Sequence, residues 1–291
     1  MTVRRSGTTV PPSSRRRPGR PLHVAGGSLL SLLPLLLMAS LLSTSSPAAA
    51  REVPPRGSAH MGIGIAAHEG RWRAGGPPPA TRAAQTEGVD VSSHQGAVNW
   101  ASLWTSGVRW AYVKATEGTY YKNPYHASQY NGSYAVGMIR GAYHFATPDT
   151  ASGTAQADYF IDNGGGWSAD GRTLPGALDM EWNPYGAACY GKSTSAMVSW
   201  IRDFLNRYRA RTGRHPVIYT STTWWAQCTG DHAGFGATSP LWIARYNTTP
   251  GPLPAGWAVH TMWQYTSKGP IVGDHNKFNG DYDRVAALAS G

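Results

Sequence analysis

Gly176-Ala177-Leu178-Asp179-Met180-Glu181 is the stretch on which the fold turns. It is a short apolar run that ends in two carboxylates one residue apart. Read as a buried strand, it puts Asp179 and Glu181 on one face, because residues two apart on a strand point the same way. Their Cβ atoms then lie about 6–7 Å apart, twice the rise per residue.

Runs of the same kind recur on both sides. Gly88–Val91, Trp110–Lys114, Ile139–Phe145, Pro216–Thr220, Leu241–Arg245 and Thr261–Tyr265 are bulky, β-branched or aromatic, and a weaker run lies near Asp281. Their polar ends fall at Asp90, Lys114, His144, Asp179, Tyr219, Arg245, Gln264 and Asp281, at successive gaps of 24, 30, 35, 40, 26, 19 and 17 residues. A strand–helix–strand unit takes roughly 30 residues or more. The early gaps leave room for helices, the 26-residue gap barely does, and the last two do not. Met197, Ile201, Phe204, Leu205 and Tyr208 form one apolar helical face within Ser193–Thr212, with Ser or Thr to cap it and Gly213 to end it. Shorter helical patterns cover 99–106, 123–136 and 154–163. The expected fold is α/β: an irregular β/α barrel of about five β/α units followed by three strands that lack helices. In such a barrel, chemistry collects at the C-terminal strand ends.

The charge of +10 does not belong to this barrel. Residues 1–50 carry six Arg and no acid, residues 51–86 five Arg and two Glu, and residues 87–291 are nearly balanced, 15 basic against 14 acidic. A nucleic-acid or membrane-surface binder is therefore not indicated. The Arg-rich start, the Leu-rich 29–42 and the Ala-x-Ala end at Ala50 read as a secretory signal peptide, cleaved after Ala50. Residues 51–86, rich in Gly, Pro, Ala and Arg, read as a flexible linker or pro-segment. Residues 87–291 are the expected catalytic barrel. Export permits a Cys189–Cys228 disulfide. The seven His of 87–291 show no ligand spacing, so neither metal nor cofactor is expected.

Two carboxyls on an apolar face repel, and one pKa rises, which is how a glycosidase keeps a protonated acid at neutral pH. Asp90 and Asp281 at other strand ends would bring four acids to one mouth. Tyr112, Tyr143, Phe145, Trp182, Tyr219, Trp242, Trp263 and Tyr265 accompany them, as apolar platforms for sugar rings or as core.

Gly88-Val-Asp-Val-Ser92, Tyr112-Val-Lys-Ala-Thr-Glu-Gly118, Gly141-Ala-Tyr-His-Phe145, Leu178-Asp-Met-Glu-Trp182, Ile218-Tyr-Thr-Ser221, Leu241-Trp-Ile-Ala-Arg-Tyr246 and Met262-Trp-Gln-Tyr-Thr266 follow in order. Together they resemble the glycoside hydrolase family 25 lysozymes, from about residue 88 to residue 290. The resemblance implies an N,O-diacetylmuramidase that hydrolyses the β-1,4 bond between N-acetylmuramic acid and N-acetylglucosamine. It implies Glu181 as general acid/base, Asp179 as the carboxylate that orients the 2-acetamido group or stabilises positive charge, and Asp90 as the first-strand acid. Asp281 is expected as the last-strand acid, with Asp283 as its substitute. There the family's Asp-x-Asn-x-Phe ending is read as Asp281-Tyr282-Asp283-Arg284-Val285. Tyr219 is expected to donate its hydroxyl to substrate or to Asp179, and Tyr143, Phe145, Trp182 and Trp263 to line sugar subsites. The expected partner is the glycan strand of peptidoglycan, met outside the cell by a monomer that binds no nucleic acid and, once its signal is cleaved, no membrane. The rival readings are a catalytically silent peptidoglycan-binding module, a chitinase-like glycosidase and a zinc amidase. The acidic series of the second is missing, because positions 174 and 177 are Leu and Ala.

Overall fold

The computed structural model describes residues 53–70 and 84–291. The signal-peptide reading of residues 1–50 lies outside the described residues, as do positions 71–83. A one-turn helix α1 (Ile65–His68) precedes strand β1 (Thr86–Val91). Then follow α2 (Trp100–Thr105), β2 (Trp110–Glu117), the two-residue β3 (Tyr121–Lys122), α3 (His126–Ala135), β4 (Ile139–Phe145) and α4 (Gly153–Phe160). The chain continues through β5 (Ala177–Asp179), α5 (Thr194–Thr212), β6 (Val217–Thr220), α6 (Thr222–Thr229), β7 (Leu241–Ala244), β8 (Met262–Thr266), β9 (Asp274–Phe278) and α7 (Tyr282–Ser290).

Eight of these strands close a barrel. β1, β2, β4, β5, β6, β7 and β8 are parallel neighbours in that order. β9 runs antiparallel between β8 and β1 and completes the circle, and β3 folds back on the end of β2. Helices follow β1, β2, β4, β5 and β6, and none lies between β7, β8 and β9.

The barrel interior is aromatic. Trp110 meets Tyr112, Trp242 and Phe278 edge-on, with ring centroids 6.0–6.4 Å apart. Gly88 makes room for this, since a Cβ there would lie 2.1 Å from the Trp110 ring. Tyr112 and Trp242 are therefore core, not groove. Outside, α5 buries Met197, Ile201, Phe204, Leu205 and Tyr208, as the periodicity predicts. Ser193 accepts from the Ala196 amide and Gly213 ends the helix in the left-handed region. Tyr208 accepts from the Gly176 amide at 2.7 Å and donates to the Gly165 carbonyl at 2.9 Å. That pair of bonds fixes the start of β5, the strand that carries Asp179. Cys189 and Cys228 form a disulfide, Cα–Cα 5.3 Å, between the loop after β5 and α6.

The end of the barrel departs from the sequence reading. The 26-residue gap accommodates α6 because that helix is only eight residues long. The last strand is not near Asp281 but at Asp274–Phe278, reached by a short hairpin from β8. Asp281 instead caps α7, accepting from the Arg284 amide at 3.1 Å.

Residues 53–70 do not behave as a free linker. Ala59, Met61 and Ile65 are buried, and Met61 and Ile65 belong to the main core cluster. The mouth of the barrel holds them, through bonds to the site's own side chains.

Candidate active site

Four buried carboxylates, Asp90, Asp179, Glu181 and Asp274, influence one another's charge at the barrel mouth. Asp90 and Asp179 come from the C-terminal ends of β1 and β5, and Glu181 lies two residues beyond. Asp274 begins β9, and because that strand is antiparallel, its first residue pairs with Asp90 at the same end of the barrel.

Asp90 is served by fixed amides. One of its oxygens accepts from Gln264 Nε2 at 2.9 Å and from Asn276 Nδ2 at 2.7 Å. Each donor is itself oriented. Tyr219 donates to Gln264 Oε1 at 2.7 Å, and Trp242 Nε1 donates to Asn276 Oδ1 at 2.8 Å. Burial pushes Asp90 up to about 7, against the pull of the two amides. Asp274 is raised well above the carboxylate range by burial, then by the charges of Asp90 and Glu181.

Asp179 is the opposite case. Both of its oxygens are buried with no hydrogen-bond partner among the described residues. Burial raises its pKa strongly, and the charges of Glu181 and Asp90 add to that. Glu181 is also fully buried, and burial pushes it up to about 8. Among the described residues, its donors are backbone amides of the N-terminal segment: Gly62 N–H to Oε1, and Gly64 N–H to Oε2 at 3.0 Å.

A second buried group stands beside these. Lys114 Nζ and Glu117 Oε2 are 2.6 Å apart, both side chains fully buried. Lys114 also donates to the carbonyls of Gly57 and Ala59, and Glu117 Oε1 accepts from Gly57 N, Tyr120 and Tyr185. Burial lowers the Lys114 pKa, and the paired Glu117 opposes that.

The structure gathers Asp90, Asp179 and Glu181 as expected from the motifs. It leaves Asp281 and Asp283 outside, exposed on α7, and puts Asp274 in their place. The physical reason is strand direction, since an antiparallel strand presents its start, not its end, to the mouth. The Asp-x-Asn-x-Phe ending is legible at Asp274-His275-Asn276-Lys277-Phe278, seven residues upstream of its expected position. Tyr219 faces the site but donates to Gln264, not to Asp179. Tyr143 is buried and accepts from the Met61 amide at 3.2 Å. Phe145 is buried beside Lys114. The Trp182 ring is stacked at 4.3 Å on His68, and Trp263 donates to the Arg245 carbonyl at 2.8 Å. Motif reading does not single out Gln264, Asn276, Lys114 and Glu117 as site residues.

The comparisons agree with this geometry. A model of the glycosyl hydrolases family 25 matches residues 89–274. Lysozyme M1 of Streptomyces globisporus is 46% identical over 289 residues, which cover 96% of this chain and 97% of that protein. The N,O-diacetylmuramidase of Chalaropsis sp is 49% identical over 209 residues, 70% of this chain and 99% of that one. Among solved structures, a family GH25 lysozyme from Aspergillus fumigatus superposes with a TM-score of 0.71 at 48% identity, covering 72% of this chain and 100% of that one. The chain belongs to the family 25 glycosyl hydrolases.

Proposed function

We infer that this chain is a secreted lysozyme that cleaves the β-1,4 bond between N-acetylmuramic acid and N-acetylglucosamine in peptidoglycan. Its catalytic unit is the barrel of residues 87–291, acting outside the cell as a monomer after loss of residues 1–50. One observation carries the assignment of roles. Glu181, pushed up to about 8 by burial while residues 53–70 are seated, stands beside Asp179, which is also raised and keeps both oxygens without a donor among the described residues, free to take the substrate's N–H.

Protonated Glu181 gives its proton to the leaving glycosidic oxygen as the C1–O bond breaks. Asp179 accepts the N–H of the 2-acetamido group and turns its carbonyl oxygen toward C1. That oxygen bonds to C1 and forms a cyclic oxazolinium ion, whose positive charge Asp179 offsets. Glu181, now a carboxylate, takes a proton from water, which opens the ring with net retention. Asp90, when ionised, deepens the negative field in which positive charge develops at C1. The test is mass spectrometry of products from defined peptidoglycan, which identifies the bond cut and the anomer formed. Glu181→Gln is expected to lose about 10²–10⁴-fold in kcat. A chain that releases no reducing ends even with residues 53–70 displaced would be a binding module instead, and cleavage of chitin but not of peptidoglycan would make it a chitinase-like enzyme.

A further inference from the structure

We propose that residues 53–70 are an inhibitory plug, so that the chain as exported is a latent precursor whose own N-terminal segment fills the glycan groove and must leave before substrate binds. The proposal rests on the reading of Glu181 and Asp179 as the reacting carboxylates.

The segment engages the site as a ligand would. The Gly62 and Gly64 amides take both oxygens of Glu181. With the segment's backbone seated against both oxygens, a glycosidic oxygen cannot take its place beside the acid. The His68 ring lies on Trp182, with planes 9° apart, and Glu69 Oε1 accepts from Trp182 Nε1 at 3.1 Å. Trp182 is left 4% exposed, so its face is closed to a sugar. Met61 and Ile65 anchor the segment by apolar burial, and the Tyr246 hydroxyl reaches the Gly62 carbonyl at 3.4 Å.

The fit is close enough to require glycine. A Cβ on Gly62, where φ is +82°, would lie 2.2 Å from the Tyr246 hydroxyl and 2.7 Å from Gln264 Oε1. A Cβ on Gly64 would lie 2.5 Å from Trp182 Cβ. The segment also divides the mouth. A cleft of about 540 Å³ lies against Glu69 and Tyr246, another of about 450 Å³ against Gly64 and Trp182, and His68 lines both. A continuous glycan strand cannot pass from one to the other while the segment is seated.

The plug lies outside the barrel's sheet, although Met61 and Ile65 join its apolar core. It adds no strand, and the β1–β2 and β1–β9 ladders close without it. Covalent attachment gives it an effective concentration in the millimolar range. Contacts of modest individual strength therefore suffice to keep it in place.

The experiment uses the exported chain, with intact mass confirming that residues 53–70 are retained. Gly62→Val combined with Gly64→Val drives side chains into Tyr246, Gln264 and Trp182 while leaving every barrel residue unchanged. Two readouts are taken together: hydrogen–deuterium exchange over residues 53–70, and release of reducing ends from purified peptidoglycan. The expected result is slow exchange and low turnover in the parent, with fast exchange and about tenfold or more higher kcat/KM in the double variant. His68→Ala with Glu69→Ala uncovers Trp182 without a clash, and its expected gain is about two- to tenfold. That pair decides the matter if the valine variant does not fold. Fast exchange in the parent overturns the plug. So does a freed segment with turnover equal to that of an active parent, and in that case the muramidase reading survives. A freed segment with no turnover in parent or variants sinks the muramidase reading, and the inhibitor with it.

Discussion

Asp90 and Asp179 end two strands of one barrel and are equally buried, yet the protein provides for them differently. Asp90 receives two side-chain amides, each locked by a further hydrogen bond from Tyr219 or Trp242. Asp179 receives none from the described residues. Burying a carboxylate without donors costs stability. Such a site persists where a ligand is meant to supply the missing partner. The contrast divides the mouth into a pre-wired wall and a reacting wall. Glu181 belongs to the second, since its donors come from the N-terminal segment and leave when that segment leaves.

Asp179→Asn breaks the reacting wall and, after Glu181→Gln, carries the largest expected effect. Activity on peptidoglycan is expected to fall about 10²–10³-fold, because the carboxylate that offsets positive charge is gone. Thermal stability is expected to change little, since burial already disfavours the charged form of Asp179 and no hydrogen bond from the described residues is lost. Loss of both activity and stability would show that Asp179 is a structural group with partners the geometry does not reveal. Steady-state kinetics and a thermal melt read the two effects independently.

Asp90→Asn addresses the pre-wired wall, and its signature is pH dependence. Both amide bonds go to one oxygen of Asp90, so an asparagine carbonyl can accept them. The folded pKa of Asp90, about 7, lies above the value near 4 of an unfolded aspartate. A group of this kind favours the fold fully below its unfolded pKa, and that contribution is lost as pH rises through the folded value. The parent's melting temperature should therefore fall between about pH 4 and pH 7, and the variant's slope over that window should be shallower. Each kcal/mol recovered at pH 8 is worth roughly 2–4 °C. An unchanged slope would mean that Asp90 stays ionised throughout. Activity should fall less than for Asp179→Asn, because the wiring survives and only the charge is lost.

The same division explains what is legible in the chain itself. In a parallel barrel, every strand end faces the mouth, so Asp90, Asp179, Tyr219 and Gln264 can be placed from run ends alone. That rule fails at β9, the one antiparallel strand of the closed barrel. Asp274-His275-Asn276-Lys277-Phe278 is also too polar to read as a buried strand, because Asp274 and Asn276 serve the site beside Asp90 while Lys277, on the other face, pairs with Glu87. The Gly and Pro content of 51–86 suggests a linker. Gly62 and Gly64 are there for closeness of approach to Tyr246, Gln264 and Trp182, which only the folded neighbours can reveal. The Lys114–Glu117 pair is hidden for a similar reason. Two opposite charges three residues apart are commonplace in a sequence until both turn out to be fully buried.

The smallest change sharpens the comparison most. Tyr219 touches neither Asp179 nor Glu181 through a hydrogen bond; it donates to Gln264 Oε1, and Gln264 donates to Asp90. If its work is to orient that amide, Tyr219→Phe leaves a buried carbonyl unpaired, at a cost of about 1–3 kcal/mol in stability. Gln264 then loses its preferred rotamer, and Asp90 loses one of its two restraints on orientation. The effect on catalysis should be a severalfold fall in kcat with KM nearly unchanged, because no substrate contact is deleted. If the hydroxyl instead turned to the sugar once residues 53–70 had left, KM would rise and the melting temperature would barely move. Kinetics alone cannot separate these cases when the plug limits access. The measurement therefore belongs in the Gly62→Val, Gly64→Val background, where the groove is open and Tyr219 has both partners within reach.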